Sequence, residues 1–154
     1  MAIAWRKEMS VDGGPIDDDH RVLIDIINEF TEADVIESGL VLLHNVLDEL
    51  DDYTKMHFAR EERLQAAVLY PFHDAHRHEH HELIRRLGDL RTMLGTGSID
   101  NQALQQAQMK VASLLHDWLV NHIIKSDLRM APYAGAMATH PLNPEPILRR
   151  TAKR

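Results

Sequence analysis

Hydrophobic residues recur at i, i+3/i+4 and i+7 in four segments of this chain, and glycine or proline interrupts the pattern between them. The pattern predicts helices from about Asp18 to Asp34, from after Ser38-Gly39 to about Ala67, from after Tyr70-Pro71 to before Gly95, and from near Ser98, as N-cap, to about Asp127. No segment alternates like a β-strand. Because short connections join long helices, we expect an all-α, up-down-up-down four-helix bundle.

The helical pattern stops after Asp127, and the remaining chain contains four prolines. We therefore predict a bundle domain over residues 1–133 and an irregular or mobile C-terminal tail over residues 134–154. Four basic residues and one acidic residue lie from Ala131 onward, so the tail is basic while the rest of the chain is acidic. A docking segment for a protein partner is the alternative interpretation of this tail.

Composition excludes several classes of function. The 154 residues carry a formal net charge of −7, which argues against nucleic-acid binding because phosphate contacts need a basic surface. The absence of cysteine excludes disulfides, thiolate metal sites and cysteine nucleophiles. No apolar stretch reaches the length of a membrane span, so we expect a soluble, cytoplasmic protein. The eleven histidines are the feature that needs an explanation.

The second predicted helix offers an imidazole and a carboxylate on one face. His57 and Glu61 are four residues apart, and Leu50 and Tyr53 continue the same stripe. The pair is therefore predicted to face the core. The adjacent Glu62 is rotated by about 100° and is expected to be solvated.

The third predicted helix opens with a run of histidines: His73, His76, His78, His80 and His81. Helical spacing places His76 and His80 in line with Leu83, on the side predicted to be buried. The other three fall outside that stripe. A surface tract that binds metal nonspecifically is the alternative interpretation for those three.

The fourth and first helices each add one histidine to a buried stripe. His122 lies one turn beyond Trp118, whereas Asp127 is about 140° from the His122 direction. Asp127 would reach the same side only if the helix unwinds locally or contains a π-bulge. His20 is in line with Leu23, although a single histidine above a leucine stripe is more often an ordinary core residue.

The five histidines on these stripes, together with Glu61 and Asp127, lie near the starts of helices one and three and near the ends of helices two and four. In an up-down-up-down bundle these four places meet at one end. Ionisable groups are costly to bury without partners, so their convergence implies that cations neutralise them. Five imidazoles and two carboxylates suit iron, manganese, zinc or copper, and they are too many for one zinc. Two ions that share bridging carboxylates fit this set.

Four segments together resemble the hemerythrin family, and in particular its single-domain bacterial members: I-D-D-D-H at His20, H-F-A-R-E-E from His57, Y-P with the His76/His80 pair, and W-L-V-N-H-I-I-K-S-D ending at Asp127. The resemblance spans roughly residues 5–133. It implies two iron ions joined by a bridging hydroxide or oxide. The implied ligands are His76, His80 and His122 on one iron, His20 and His57 on the other, and Glu61 and Asp127 as bridges.

The resemblance also implies a function, which is reversible binding of dioxygen at the open position of the iron that has two histidines, for oxygen storage, delivery or sensing. Such a position needs dry apolar walls, for which the candidates are Leu23, Phe58, Trp118, Leu119 and Ile123. Ordinary core packing explains the same residues. Two other functions stay open, namely reductive enzyme chemistry on peroxide or nitric oxide, and a signalling module that docks a partner through the basic tail.

Overall fold

The structure, a computed structural model, describes residues 2–97 and 99–141. Four long helices dominate it: α1 (Pro15–Glu32), α2 (Val35–Ala67), α3 (His73–Leu94) and α4 (Asn101–Lys125). A short 3-10 helix, Lys7–Met9, precedes them, and a 3-10 segment, Asp127–Tyr133, leads into the short helix α5 (Ala134–Ala138). The described residues contain no strand. The four long helices pack against one another, which confirms the predicted all-α four-helix bundle.

Local capping explains where the helices begin. Helix α1 starts earlier than predicted, because Pro15 occupies the first turn and Asp12 accepts the backbone N–H groups of Ile16 and Asp17. Helix α2 starts before Gly39, because Asp34 caps it, and Gly39 then adopts a φ of 73° that kinks its first turns.

Helix α4 begins at Asn101. The Asp100 side chain accepts the backbone N–H of Ala103 and is the N-cap. The predicted cap, Ser98, lies outside the described residues.

The interior contains two apolar clusters. The larger cluster fills the bundle with side chains from all four long helices, among them Phe30, Leu50, Leu87 and Leu115. The smaller cluster closes one end of the bundle and is formed by Val11, Ile16, Leu64, Tyr70, Met130 and Met137. The N-terminal loop, the end of α2 and the chain after α4 therefore form a cap over that end.

The prediction of an irregular tail from residue 134 is wrong for its first residues. Ala134–Ala138 is helical, and Met137 is completely buried in the smaller cluster because it packs beside Met130. Residues 142–154, which include the basic end of the tail, lie outside the described residues. Within the described ranges, no helix is both long and apolar enough to cross a membrane.

Candidate metal centre

The structure brings all seven predicted ligand residues together at the capped end of the bundle. Their side chains are at most 4% exposed. They come from α1 (His20), α2 (His57, Glu61), α3 (His76, His80), α4 (His122) and the 3-10 segment (Asp127). Residues from the starts of α1 and α3 thus meet residues from the ends of α2 and α4, as an up-down-up-down order requires.

The side chains form two overlapping groups. One contains Glu61, His76, His80, His122 and Asp127, and the other contains His20, His57, Glu61 and Asp127. Within each group the possible ligand atoms all lie within 4.8 Å of one another. Only the two carboxylates belong to both groups.

The two oxygens of Glu61 face different groups. Oε1 lies 3.0 Å from Nε2 of His57 and 3.7 Å from Nε2 of His20. Oε2 lies 3.1 Å from Nε2 of His80 and 3.5 Å from Nε2 of His76. Glu61 therefore presents one oxygen to each group.

Asp127 is divided between the groups in the same way. Oδ1 lies 2.9 Å from Nε2 of His122 and 3.0 Å from Nε2 of His76, whereas Oδ2 lies 3.0 Å from Nε2 of His20. Helix α4 ends at Lys125, and the chain changes to a 3-10 conformation at Asp127. The end of the α-helix, and not a π-bulge, brings Asp127 to the histidine face.

The buried polar atoms at the centre fit a pair of cations. The Nε2 atoms of all five histidines and all four carboxylate oxygens are buried without a hydrogen-bond partner among the described residues. Buried polar atoms usually have hydrogen-bond partners, so a whole set of atoms without partners that face each other indicates a site that binds a ligand. Imidazole nitrogens and carboxylate oxygens are the donors that iron, manganese and zinc accept.

The pKa values of the metal-free centre also indicate that it binds cations. Burial lowers the pKa of each imidazole, but the charges of the nearby carboxylates outweigh it and raise the pKa of His57 and His76 to about 10 and that of His122 to about 9. Burial raises the pKa of Glu61 and Asp127, yet the surrounding imidazoles hold both well below the usual value. A cation that binds here must displace protons from the imidazoles.

Three histidines also contact a carboxylate through the ring nitrogen that faces away from the centre. Nδ1 of His57 lies 3.0 Å from Asp19, Nδ1 of His80 lies 2.9 Å from Glu62, and Nδ1 of His122 lies 3.2 Å from Glu79. Such contacts orient metal-binding imidazoles and fix which nitrogen carries the proton.

The sequence did not single out these three carboxylates. Glu62, which was expected to be solvated, is only partly so, because its side chain contacts His80. Helical spacing could have indicated the other two, because Asp19 and Glu79 each precede a buried leucine, Leu23 and Leu83, by four residues and so lie on the same helix face.

The five predicted wall residues, Leu23, Phe58, Trp118, Leu119 and Ile123, are all buried in the larger cluster. The ring of Phe58 stacks on the ring of His80, with 3.7 Å between the ring centroids, and packs edge-on against the ring of His122, with 5.2 Å between the centroids. The Trp118 indole donates a hydrogen bond to the carbonyl of Leu83, between α3 and α4. Apolar side chains therefore border the centre on its bundle side.

The remaining histidines lie outside the centre. His78 and His81 are exposed, as predicted, and His116 is exposed as well. Three others, His44, His73 and His140, are partly buried. The ring of His73 contacts Gln65, and that of His44 contacts the carbonyl of Gly95, so both serve local structure.

The geometry agrees with similarity to known proteins. The sequence model of the hemerythrin HHE cation binding domain matches residues 15–134. A bacteriohemerythrin of Stenotrophomonas maltophilia is 30% identical over 138 residues, which are 90% of this chain and 83% of that protein. Myohemerythrin-1 of Phascolopsis gouldii is 28% identical over 125 residues, 81% of this chain and 88% of that protein. The predicted family is confirmed, and this chain belongs to the hemerythrin family.

Proposed function

We propose that this protein holds two iron ions between α1, α2, α3 and α4 and binds dioxygen reversibly there. The observation that carries the proposal is the division of Glu61 and Asp127, each of which presents one oxygen to each histidine group. Carboxylates placed in this way are suited to bridge two cations, because the two oxygens of each one face different histidine groups and could not both bind a single ion held by either group. The family supports iron as the metal and oxygen binding as the use.

The residues assigned to each ion follow from the two groups. His76, His80 and His122 would hold one ion, and His20 and His57 the other, with Glu61, Asp127 and a hydroxide or oxide as bridges. When bound, a pair of reduced iron ions supplies both a binding position for dioxygen and the electrons that retain it. The group with two imidazoles has one donor fewer, so we assign the open position to that side.

The protein's own contribution is to keep water away from this position. Phe58 stacks on the ring of His80 and is buried in the larger cluster together with Leu23 and Ile123, and the smaller apolar cluster closes the end of the bundle beyond the centre. Exclusion of water strengthens the electrostatic interactions within the site and protects bound ligand from proton transfer. The buried Asp127 ligand begins the same 3-10 segment that carries Met130 into the cap, so the cap and the ligand set are built together.

Oxygen cycling tests the proposal. Protein loaded anaerobically with two ferrous ions per chain should give a new visible absorption in air, and removal of oxygen should reverse it over repeated cycles. A Glu61→Gln variant, which keeps the shape of the side chain but loses the bridging charge, should not show the cycle.

Irreversible oxidation on first exposure to air would contradict reversible binding. If the loaded protein then consumed peroxide or nitric oxide with repeated turnover, the alternative of a reductive enzyme would replace the proposal. Storage, delivery and sensing would each use reversible binding, and a comparison of the oxygen affinity with the cellular oxygen level separates these uses.

A further inference from the structure

The two halves of the metal centre differ in the groups behind their histidines. Behind the group with three histidines, the carboxylates are at the surface: the side chains of Glu62 and Glu79 are 23% and 40% exposed. Behind the other group, Asp19 on His57 is only 1% exposed, and Nδ1 of His20 has no hydrogen-bond partner among the described residues. His57 alone therefore rests on a completely buried carboxylate.

Three donors hold this buried carboxylate in one orientation. Nη1 of Arg60 lies 3.2 Å from Oδ1 and 3.1 Å from Oδ2 of Asp19, and the hydroxyl of Tyr53 donates to Oδ1 at 3.2 Å. His57 donates to Oδ2 from Nδ1. A buried charge is unfavourable unless it is paired and hydrogen-bonded, and the guanidinium of Arg60, itself 5% exposed, provides that pairing.

We infer that Asp19 is a positioning residue that acts through His57 on the ion at the open position, and this inference rests on the proposed di-iron function. When a bound ion displaces the proton from Nε2, the carboxylate keeps the other ring proton of His57 on Nδ1, so that the Nε2 lone pair is directed into the centre. It also makes the imidazole a stronger donor. Because this ion has only two imidazoles, a change in one of them alters its affinity and reduction potential more than at the ion with three.

Metal titration of the full chain tests the inference, with Co²⁺ as the probe. The Asp19→Asn variant keeps the size of the side chain and removes its charge. It should weaken the binding of one of the two ions by about 10- to 100-fold, the range found when such outer partners are removed. In the iron-loaded protein its reduction potential should rise, because the oxidised state loses a stronger donor.

The matched control is Glu62→Gln, which makes the same chemical change behind His80. Since Glu62 is partly solvated, its loss should change affinity by about threefold or less. Equal effects of the two variants would overturn the inference. If wild-type protein takes up no pair of ions, the proposed function itself fails. If it takes up two and Asp19→Asn behaves as wild type, only this inference fails.

A measurement on the wild type avoids dependence on the folding of any variant. In the zinc-loaded protein, nitrogen-15 NMR of the histidine rings should show His57 with a slowly exchanging proton on Nδ1 and none on Nε2. An Nδ1 proton on His57 that exchanges as fast as the Nδ1 proton on His80 would overturn the inference, because the buried Asp19 then would hold its imidazole no more firmly than the partly solvated Glu62 does.

Discussion

The two ends of the bundle are built on different principles. At the end near Asp34 and Gly95, the completely buried contacts between helices are apolar, the ion pair of Arg91 with Asp48 lies at the surface, and among the buried polar side chains of the described residues only Gln108 lies there. Its amide donates to the carbonyls of Phe30 and Ala33 and so serves the α1–α2 connection. At the other end, the seven candidate ligands are buried in one layer between two apolar clusters, six of them on the same four helices and Asp127 on the 3-10 segment, and the ionisable side chains of Asp19 and Arg60 are buried beside them.

This difference shows that the apolar end stabilises the fold, whereas the capped end provides the metal-binding side chains. Burial of apolar area stabilises the apolar end without help. The layer at the capped end is stable only if its charges are compensated, by protons in the metal-free protein and by cations in the loaded one. The four predictions below act on one end or the other, and they are ordered by the size of the expected effect.

Metal removal should have the largest effect. A ligand that binds only the folded state at about a thousand times its dissociation constant adds about 4 kcal/mol to the free energy of unfolding, and two ions act together here. Chelation should therefore lower the unfolding temperature strongly, measured by circular dichroism. Equal unfolding temperatures with and without metal would contradict the claim that the capped end depends on cations for its stability.

A cavity at the apolar end should destabilise the protein without affecting the centre. Leu43 is completely buried in the larger cluster, so Leu43→Ala should lower the free energy of unfolding by about 2–5 kcal/mol. The loss should be the same with and without metal, and metal stoichiometry should not change. Denaturant unfolding of both forms measures this, and a loss of metal would show that the two ends are coupled.

Removal of one ligand residue should weaken metal binding, in contrast to the cavity at the apolar end, which should lower stability alone. His122→Ala takes an imidazole from the group with three histidines and should weaken metal binding by about 100-fold, or about 2.8 kcal/mol. His78→Ala is the matched control, because His78 is exposed on α3 and should leave affinity unchanged. If both variants bind metal equally well, the assignment of His122 is wrong.

The smallest effect is the dependence of metal binding on pH. The pKa of His57 and His76 is raised to about 10 in the metal-free protein, so both are protonated at neutral pH. Ions must displace these protons, so affinity should increase as pH rises towards the raised pKa values. Because the pKa of His122 is also raised, to about 9, calorimetry in buffers of different ionisation enthalpy should show release of on the order of three protons per chain. Uptake without proton release would contradict these pKa shifts.

Much of the fold followed from helical periodicity, because an apolar stripe is a property of each segment alone. The same stripes singled out the pairs His57/Glu61 and His76/His80, since four residues make about one helical turn. Periodicity failed where the helix ends. Asp127 lies beyond Lys125, in a 3-10 segment that no α-helical spacing describes, and its inclusion depended on family resemblance.

Contacts between helices were also beyond the reach of the sequence. Asp19 is the last of three consecutive aspartates, and nothing in that run indicates that it pairs with Arg60 of another helix. Glu62 was expected in solvent because the rule of 100° per residue ignores the neighbouring α3, where His80 reaches it. The packing of Met137 was missed because five residues are too few to show a period.

Anaerobic titration of the metal-free protein with ferrous iron tests the central claim most directly, with bound metal measured by elemental analysis after removal of excess. Two iron ions per chain, lost together in Glu61→Gln, are the predicted result. A single ion, or binding that Glu61→Gln does not alter, would contradict a centre in which two carboxylates join a pair of cations.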